Sequence, residues 1–108
     1  MSKATPENAV KHKIKQYLDS IGAFHMWPVP TGYGPKLVDC YGCLDGKFFA
    51  IEVKRPGILK PTPHQNFVLR RVGAAKGLAF TTDSVERVQK MIEDHILGAY
   101  KFRHGEDE

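Results

Sequence analysis

The apolar positions change period several times along the chain, and each change marks an element. Val10, Ile14, Tyr17, Leu18 and Ile21 recur at helical spacing. Thr5-Pro6 ahead of them supplies an N-cap and a proline suited to the first helical position, and Gly22 supplies a stop. Residues 24–27 are a short apolar run closed by Pro28 and Pro30, which predicts a first strand. Thr31-Gly32-Tyr33-Gly34-Pro35 reads as a loop. Residues 37–44 and 47–54 are two strand-like runs joined by Asp45-Gly46, a pair suited to the positive φ angles of a tight hairpin. Arg55-Pro56-Gly57 stops the second run. Thr62 and Gln65 have the spacing of a capping box, with Pro63 at the first helical position and Val68, Leu69 and Val72 on one face. Residues 77–82 predict a fourth strand. Asp83 or Ser84 then caps a third helix with Val85, Val88, Ile92 and Ile96 on one side and Gly98 as its end. The order α-β-β-β-α-β-α predicts an α/β domain, a small mixed sheet flanked by helices.

Composition narrows the class. At 108 residues the chain makes one domain, 1–108, with enough length for one shared core. Hydrophobic content of 42% with a net charge of only +4 excludes a disordered chain. No apolar run approaches the roughly 18 residues of a membrane span, and Met1-Ser2-Lys3-Ala4-Thr5 lacks a secretory signal. These features set the expectation of a soluble intracellular protein without a membrane partner. The end, Gly105-Glu106-Asp107-Glu108, is acidic, so the body is more basic than the net charge states. Such a body favours a polyanion such as nucleic acid. Residues 101–108 are expected to form a flexible acidic tail.

The hairpin carries the chemistry. A two-residue loop pairs Leu44 with Lys47 and, followed down the strands, sets Asp39 opposite Glu52 on one face. Directly opposed like charges destabilise a sheet unless something neutralises them. Lys54 lies two residues beyond Glu52 on the same face, while Phe49, Ile51 and Val53 face the other way as core. Two readings remain open at this point. A divalent cation resolves the conflict, with carboxylates and water suiting Mg²⁺ or Mn²⁺; alternatively Lys54 forms a structural ion pair with either acid.

Asp39 followed at a distance by Glu52-Val53-Lys54 resembles the PD-(D/E)XK nuclease motif, and the closer resemblance is to its VRR-NUC (virus-type replication-repair nuclease) branch. Glu7, Gly32-Tyr33-Gly34, the run from Gly46 through Glu52-Val53-Lys54 to Arg55-Pro56-Gly57, and Pro63-His64-Gln65 support it, over about Glu7 to Val88. One departure stands out: the family usually has Pro before the acidic ligand, where this chain has Val38. The resemblance implies a restriction-endonuclease-like core and a Mg²⁺- or Mn²⁺-dependent, structure-selective DNA endonuclease akin to Holliday-junction resolvases. Asp39, Glu52 and the main-chain carbonyl of Val53 would hold the ion, and Lys54 would orient the attacking water. Branched or junction DNA is the implied partner, a homodimer the implied assembly, and DNA repair the implied setting. The family's viral association makes a phage-encoded protein acting in the cytoplasm or nucleoid of a host a natural expectation.

Other residues carry paired readings. Glu7 extends the stripe of Val10, Ile14, Leu18 and Ile21, so it is either an additional site acid, including a metal ligand, or a first-turn acid favoured by the helix dipole. Gln65 is either a capping partner or a site residue touching Lys54 or a metal-bound water. Arg55, Lys60, His64, Arg70 and Arg71, together with Lys54, are candidates for DNA contacts, against the plainer reading of a solvated face. Lys11, Lys13 and Lys15 are expected on the exposed side of the first helix. Cys40 and Cys43 lack a second pair for zinc and fall on opposite faces of a strand, so they read as ordinary small buried residues. Trp27 reads as core, and Tyr33 as a candidate for base stacking. Two alternatives stand beside the nuclease: a non-catalytic DNA-binding module with a nuclease-like fold, and a protein-interaction domain using the third helix.

Overall fold

The computed structural model describes residues 5–29, 32–34 and 37–98. The first helix, α1, spans Pro6–Ser20, with the Thr5 hydroxyl accepting the Asn8 N–H at 3.0 Å. It ends in a Schellman turn: Ala23 N–H donates to the Leu18 carbonyl, Gly22 N–H to that of Asp19, and Gly22 takes φ +73°. Val10, Ile14 and Leu18 form its buried stripe.

Strands β1 (Phe24–Met26), β2 (Cys40–Leu44) and β3 (Lys47–Val53) form an antiparallel meander. The β2–β3 turn places Asp45 and Gly46 at φ +53° and +75°, as its sequence predicts. Helix α2 (Pro63–Ala74) then crosses over so that β4 (Leu78–Thr82) runs parallel to β3. The sheet order is β1-β2-β3-β4, with both edges occupied by short strands. Helix α3 covers Val85–Ile92, capped by Ser84, whose hydroxyl accepts the Arg87 N–H. Its continuation, Glu93–Leu97, widens to π-type hydrogen bonding.

Alternation along the strands sorts side chains to two faces. Phe49, Ile51 and Val53 of β3, with Phe80 of β4, meet Ile14 and Leu18 of α1 and Val88, Ile92 and Ile96 of α3 in the main core. Val38, Ala50 and Leu69 form a smaller core beneath α2. Helix α2 covers only part of its face; Phe24, Met26 and Phe48 stay about half exposed. Gly42 lies where β1, β2 and the Phe49 ring meet, and a Cβ there would strike both that ring and the Phe24 carbonyl.

The elements are those predicted, with trimmed ends. Trp27 falls outside β1, β2 begins at Cys40 rather than at residue 37, β3 ends one residue before Lys54, and β4 starts at Leu78. Gly98 is the C-cap of the continuation Glu93–Leu97, as expected, with a helical φ of −62°. Cys40 is buried, whereas Cys43 is exposed, so the expectation that both are buried holds for one. The expected tail, 101–108, lies outside the described residues.

Candidate active site

The hairpin ladder runs without a bulge from Leu44↔Lys47 to Cys40↔Ile51. Asp39 is the next residue, and there side chains take over from the backbone. The Asp39 N–H donates to Glu52 Oε1 at 3.2 Å, and the Val53 N–H donates to Asp39 Oδ2 at 2.8 Å. Each carboxylate is therefore tied to the other strand's main chain. The two acids end up beside one another because the register brings them together and this reciprocal pair holds them. Val38, at the position of the expected proline, is 1% exposed and packs with Ala50 and Leu69, so it anchors the segment leading into Asp39.

The charge arrangement is tight. Glu52 is 1% exposed. Burial first, then the neighbouring Asp39, pushes its carboxyl above the ordinary value, while Lys54 opposes that shift. Lys54 Nζ lies 3.1 Å from Glu52 Oε2 and 3.1 Å from Gln65 Oε1. Gln65 does both things its position suggested. Its Oε1 accepts the Thr62 N–H at 2.9 Å, completing the capping box, and the same oxygen receives Lys54.

Lys11 completes the cluster, although its place on the first helix predicts that it faces solvent with Lys13 and Lys15. Its Nζ is 3.2 Å from Asp39 Oδ1 and 3.5 Å from Glu7 Oε2. Burial works against its charge, but Asp39 and Glu7 more than offset that and raise its pKa. The one signal for it was the i,i+4 spacing from Glu7 beside the buried stripe. Glu7 thus meets the cluster through Lys11. Among the described residues, no group of three or more Asp, Glu, His or Cys comes close enough to cage a metal.

The donor set nonetheless fits a hard divalent ion. Mg²⁺ is commonly held by one or two carboxylates, with water and phosphate filling the remaining positions. Asp39 and Glu52 supply two carboxylates, and each oxygen keeps acceptor capacity beyond its present bond. Val53, between Glu52 and Lys54 at the end of β3, is fully buried.

The other predicted residues do not join this cluster, and Arg71 lines a groove with Phe48 and Gly77 at the far end of β3. Arg55 and Lys60 are exposed on the segment from β3 to α2, and Arg70 is exposed on α2. His64 stacks on Phe67 at 6.3 Å between ring centroids, and Arg71 lies 5.7 Å from the same ring. Trp27 is half-buried; its Nε1–H donates to His25 Nδ1, and Lys15 lies over its ring. Tyr33 is exposed. Burial, then Asp39, pushes the Cys40 thiol up to about 12, which makes it a poor nucleophile.

No family model and no curated protein matches this chain. Its structure is similar to a solved structure described as a VRR_NUC domain, with a TM-score of 0.70 and 27% sequence identity. The match covers 83% of this chain and 97% of the other, so it takes in nearly the whole of that domain.

Proposed function

We infer that this chain, a VRR-NUC domain of the PD-(D/E)XK nuclease superfamily, is a metal-dependent DNA endonuclease with Asp39, Glu52, Lys54 and Gln65 at its active site. The carrying observation is the pair Asp39 and Glu52, each bonded to the other strand's backbone, with Lys54 held against Glu52 by Gln65. A stable sheet has no need of two facing acids at its end; a divalent cation does.

In this reading Asp39, Glu52 and the Val53 carbonyl hold Mg²⁺ or Mn²⁺. When bound, the ion polarises the scissile phosphate and makes a coordinated water more acidic. Lys54 stabilises negative charge developing on the phosphate and positions the water. Gln65 fixes the Lys54 ammonium, which otherwise swings on four rotatable carbons. Arg55, Lys60, His64, Arg70 and Arg71 contact DNA around the cut and supply affinity more than sequence choice. Branched DNA is the proposed substrate, and a homodimer the proposed assembly, because a two-fold pair of sites matches a junction with two strands to cut.

The test incubates the protein with four-way junction, flap, splayed and linear duplex DNA under Mg²⁺, Mn²⁺ or EDTA, beside Lys54→Ala. Paired cuts near the branch point, absent with EDTA and in the variant, are expected. Binding without cleavage under every metal would replace this reading with a non-catalytic DNA-binding module.

A further inference from the structure

The nuclease reading assigns Lys11 nothing, yet Lys11 holds the position most in conflict with a metal at Asp39. Its ammonium lies 3.2 Å from Asp39 Oδ1, at hydrogen-bonding distance, and its side chain is 25% exposed. The other Asp39 oxygen is already committed to the Val53 N–H at 2.8 Å. Oδ1 is therefore the oxygen that faces a cation. On the opposite acid, Glu52 Oε1 takes a backbone N–H and Oε2 takes Lys54. Each carboxylate thus spends one oxygen on the main chain and one on a lysine.

The two lysines are not equivalent. Lys54 is tied to Gln65 Oε1 at 3.1 Å, inside the cluster, so it has a neutral partner that keeps it there. Lys11 has no such tie within the cluster. Its second partner is Glu7, one helical turn earlier on α1, with a side chain 39% exposed. Lys11 can therefore leave Asp39 and keep Glu7, moving toward solvent along its own helix.

We propose that Lys11 is a place-holding cation: it neutralises Asp39 in the metal-free chain and is displaced toward Glu7 when a divalent ion binds at Asp39 and Glu52. The proposal rests on the metal-site reading above and adds a competitor to it. With Lys11 in place, metal binding must break an ion pair at Asp39, so affinity is set lower than the two carboxylates alone would give. Glu7 then acts as the acceptor that parks Lys11, a positioning role rather than that of a metal ligand.

The experiment is a calorimetric titration of Mn²⁺ into wild type, Lys11→Met, Lys11→Arg, Lys15→Met and Asp39→Asn, all without DNA, with a circular-dichroism melt confirming that each variant folds. Lys11→Met should bind Mn²⁺ at least threefold more tightly than wild type. Lys15→Met removes the same charge from the same helix at a lysine that lies over the Trp27 ring, and should change affinity less than twofold. Lys11→Arg keeps the competing charge and should bind within about twofold of wild type or more weakly, as expected for a residue that competes by charge. Equal or weaker binding by Lys11→Met, with wild type still binding and Asp39→Asn not binding, overturns the place-holder while leaving the metal site intact. Absence of Mn²⁺ binding by both wild type and Lys11→Met overturns the metal-site reading and the place-holder with it. Should Lys11→Met fail to fold, Glu7→Gln takes its place. Losing the parking acceptor should weaken Mn²⁺ binding, and unchanged or tighter binding would overturn the proposal.

Discussion

Replacing Asp39 should separate its part in the fold from its part in chemistry. Oδ2 accepts the Val53 N–H at 2.8 Å, and Val53 is fully buried. Asp39→Ala strands that N–H in a place water does not reach, which costs about 1–3 kcal/mol. Asp39→Asn keeps an amide oxygen to accept it. The asparagine does lose the ion pair with Lys11, but the alanine loses it equally, so that loss cancels between the two variants. Both substitutions relieve the same repulsion with Glu52, so the difference between them isolates the hydrogen bond. Urea unfolding followed by circular dichroism in EDTA at neutral pH should place the alanine variant about 1–3 kcal/mol below the asparagine variant. In thermal melts a gap of this kind amounts to roughly 4–8 °C per kcal/mol for a domain of this size. Both variants should be inactive. Equal stability of the two would refute the claim that the Asp39 side chain replaces a ladder hydrogen bond at the end of the hairpin.

Glu52 carries a pH signature. Its folded carboxyl titrates above the ordinary value of 4.5, so the native state holds the proton more tightly than the unfolded chain. The stability this contributes is fully present below 4.5 and is lost as pH rises through the raised folded value; in EDTA, Glu52→Gln should flatten that fall, and an unchanged pH profile would contradict it. Gln65→Ala removes the acceptor shared by the Thr62 N–H and Lys54, and should cost about 1–3 kcal/mol by urea unfolding and lower the cleavage rate. Gly42→Ala forces a methyl into the Phe49 ring and the Phe24 carbonyl, and should lose about 1–3 kcal/mol or more with the site residues untouched. A melt within one degree of wild type would show that β1 and the ring yield freely.

Much of this site is legible in the sequence because the hairpin imposes its own geometry. Asp45-Gly46 permits one tight turn, that turn sets the register, and the register brings Asp39 and Glu52 together. Gln65 was legible as a choice between two roles, and one oxygen fills both. Lys11 was not legible in the same way. Whether a residue at the margin of a helical stripe meets solvent or a carboxylate depends on how α1 is rotated against the end of β3, a tertiary fact that periodicity does not contain. The strand starts were misplaced for a related reason. Asp39 satisfies the strand pattern, but its side chain takes the hydrogen bond the backbone would have made, so the ladder stops at Cys40. Gly98 does stand at the C-cap of the helical continuation Glu93–Leu97, but with helical φ rather than the left-handed geometry that a glycine there commonly supplies.

The most direct test of the central claim is paramagnetic broadening by Mn²⁺ in the amide spectrum of the ¹⁵N-labelled chain, without DNA. Substoichiometric Mn²⁺ should selectively erase the amide signals of Asp39, Cys40, Glu52, Val53 and Lys54, and the effect should vanish in Asp39→Asn. Broadening confined to the acidic run Glu106-Asp107-Glu108, with the Asp39 and Glu52 amides untouched, would contradict a metal-dependent nuclease site between these two strands.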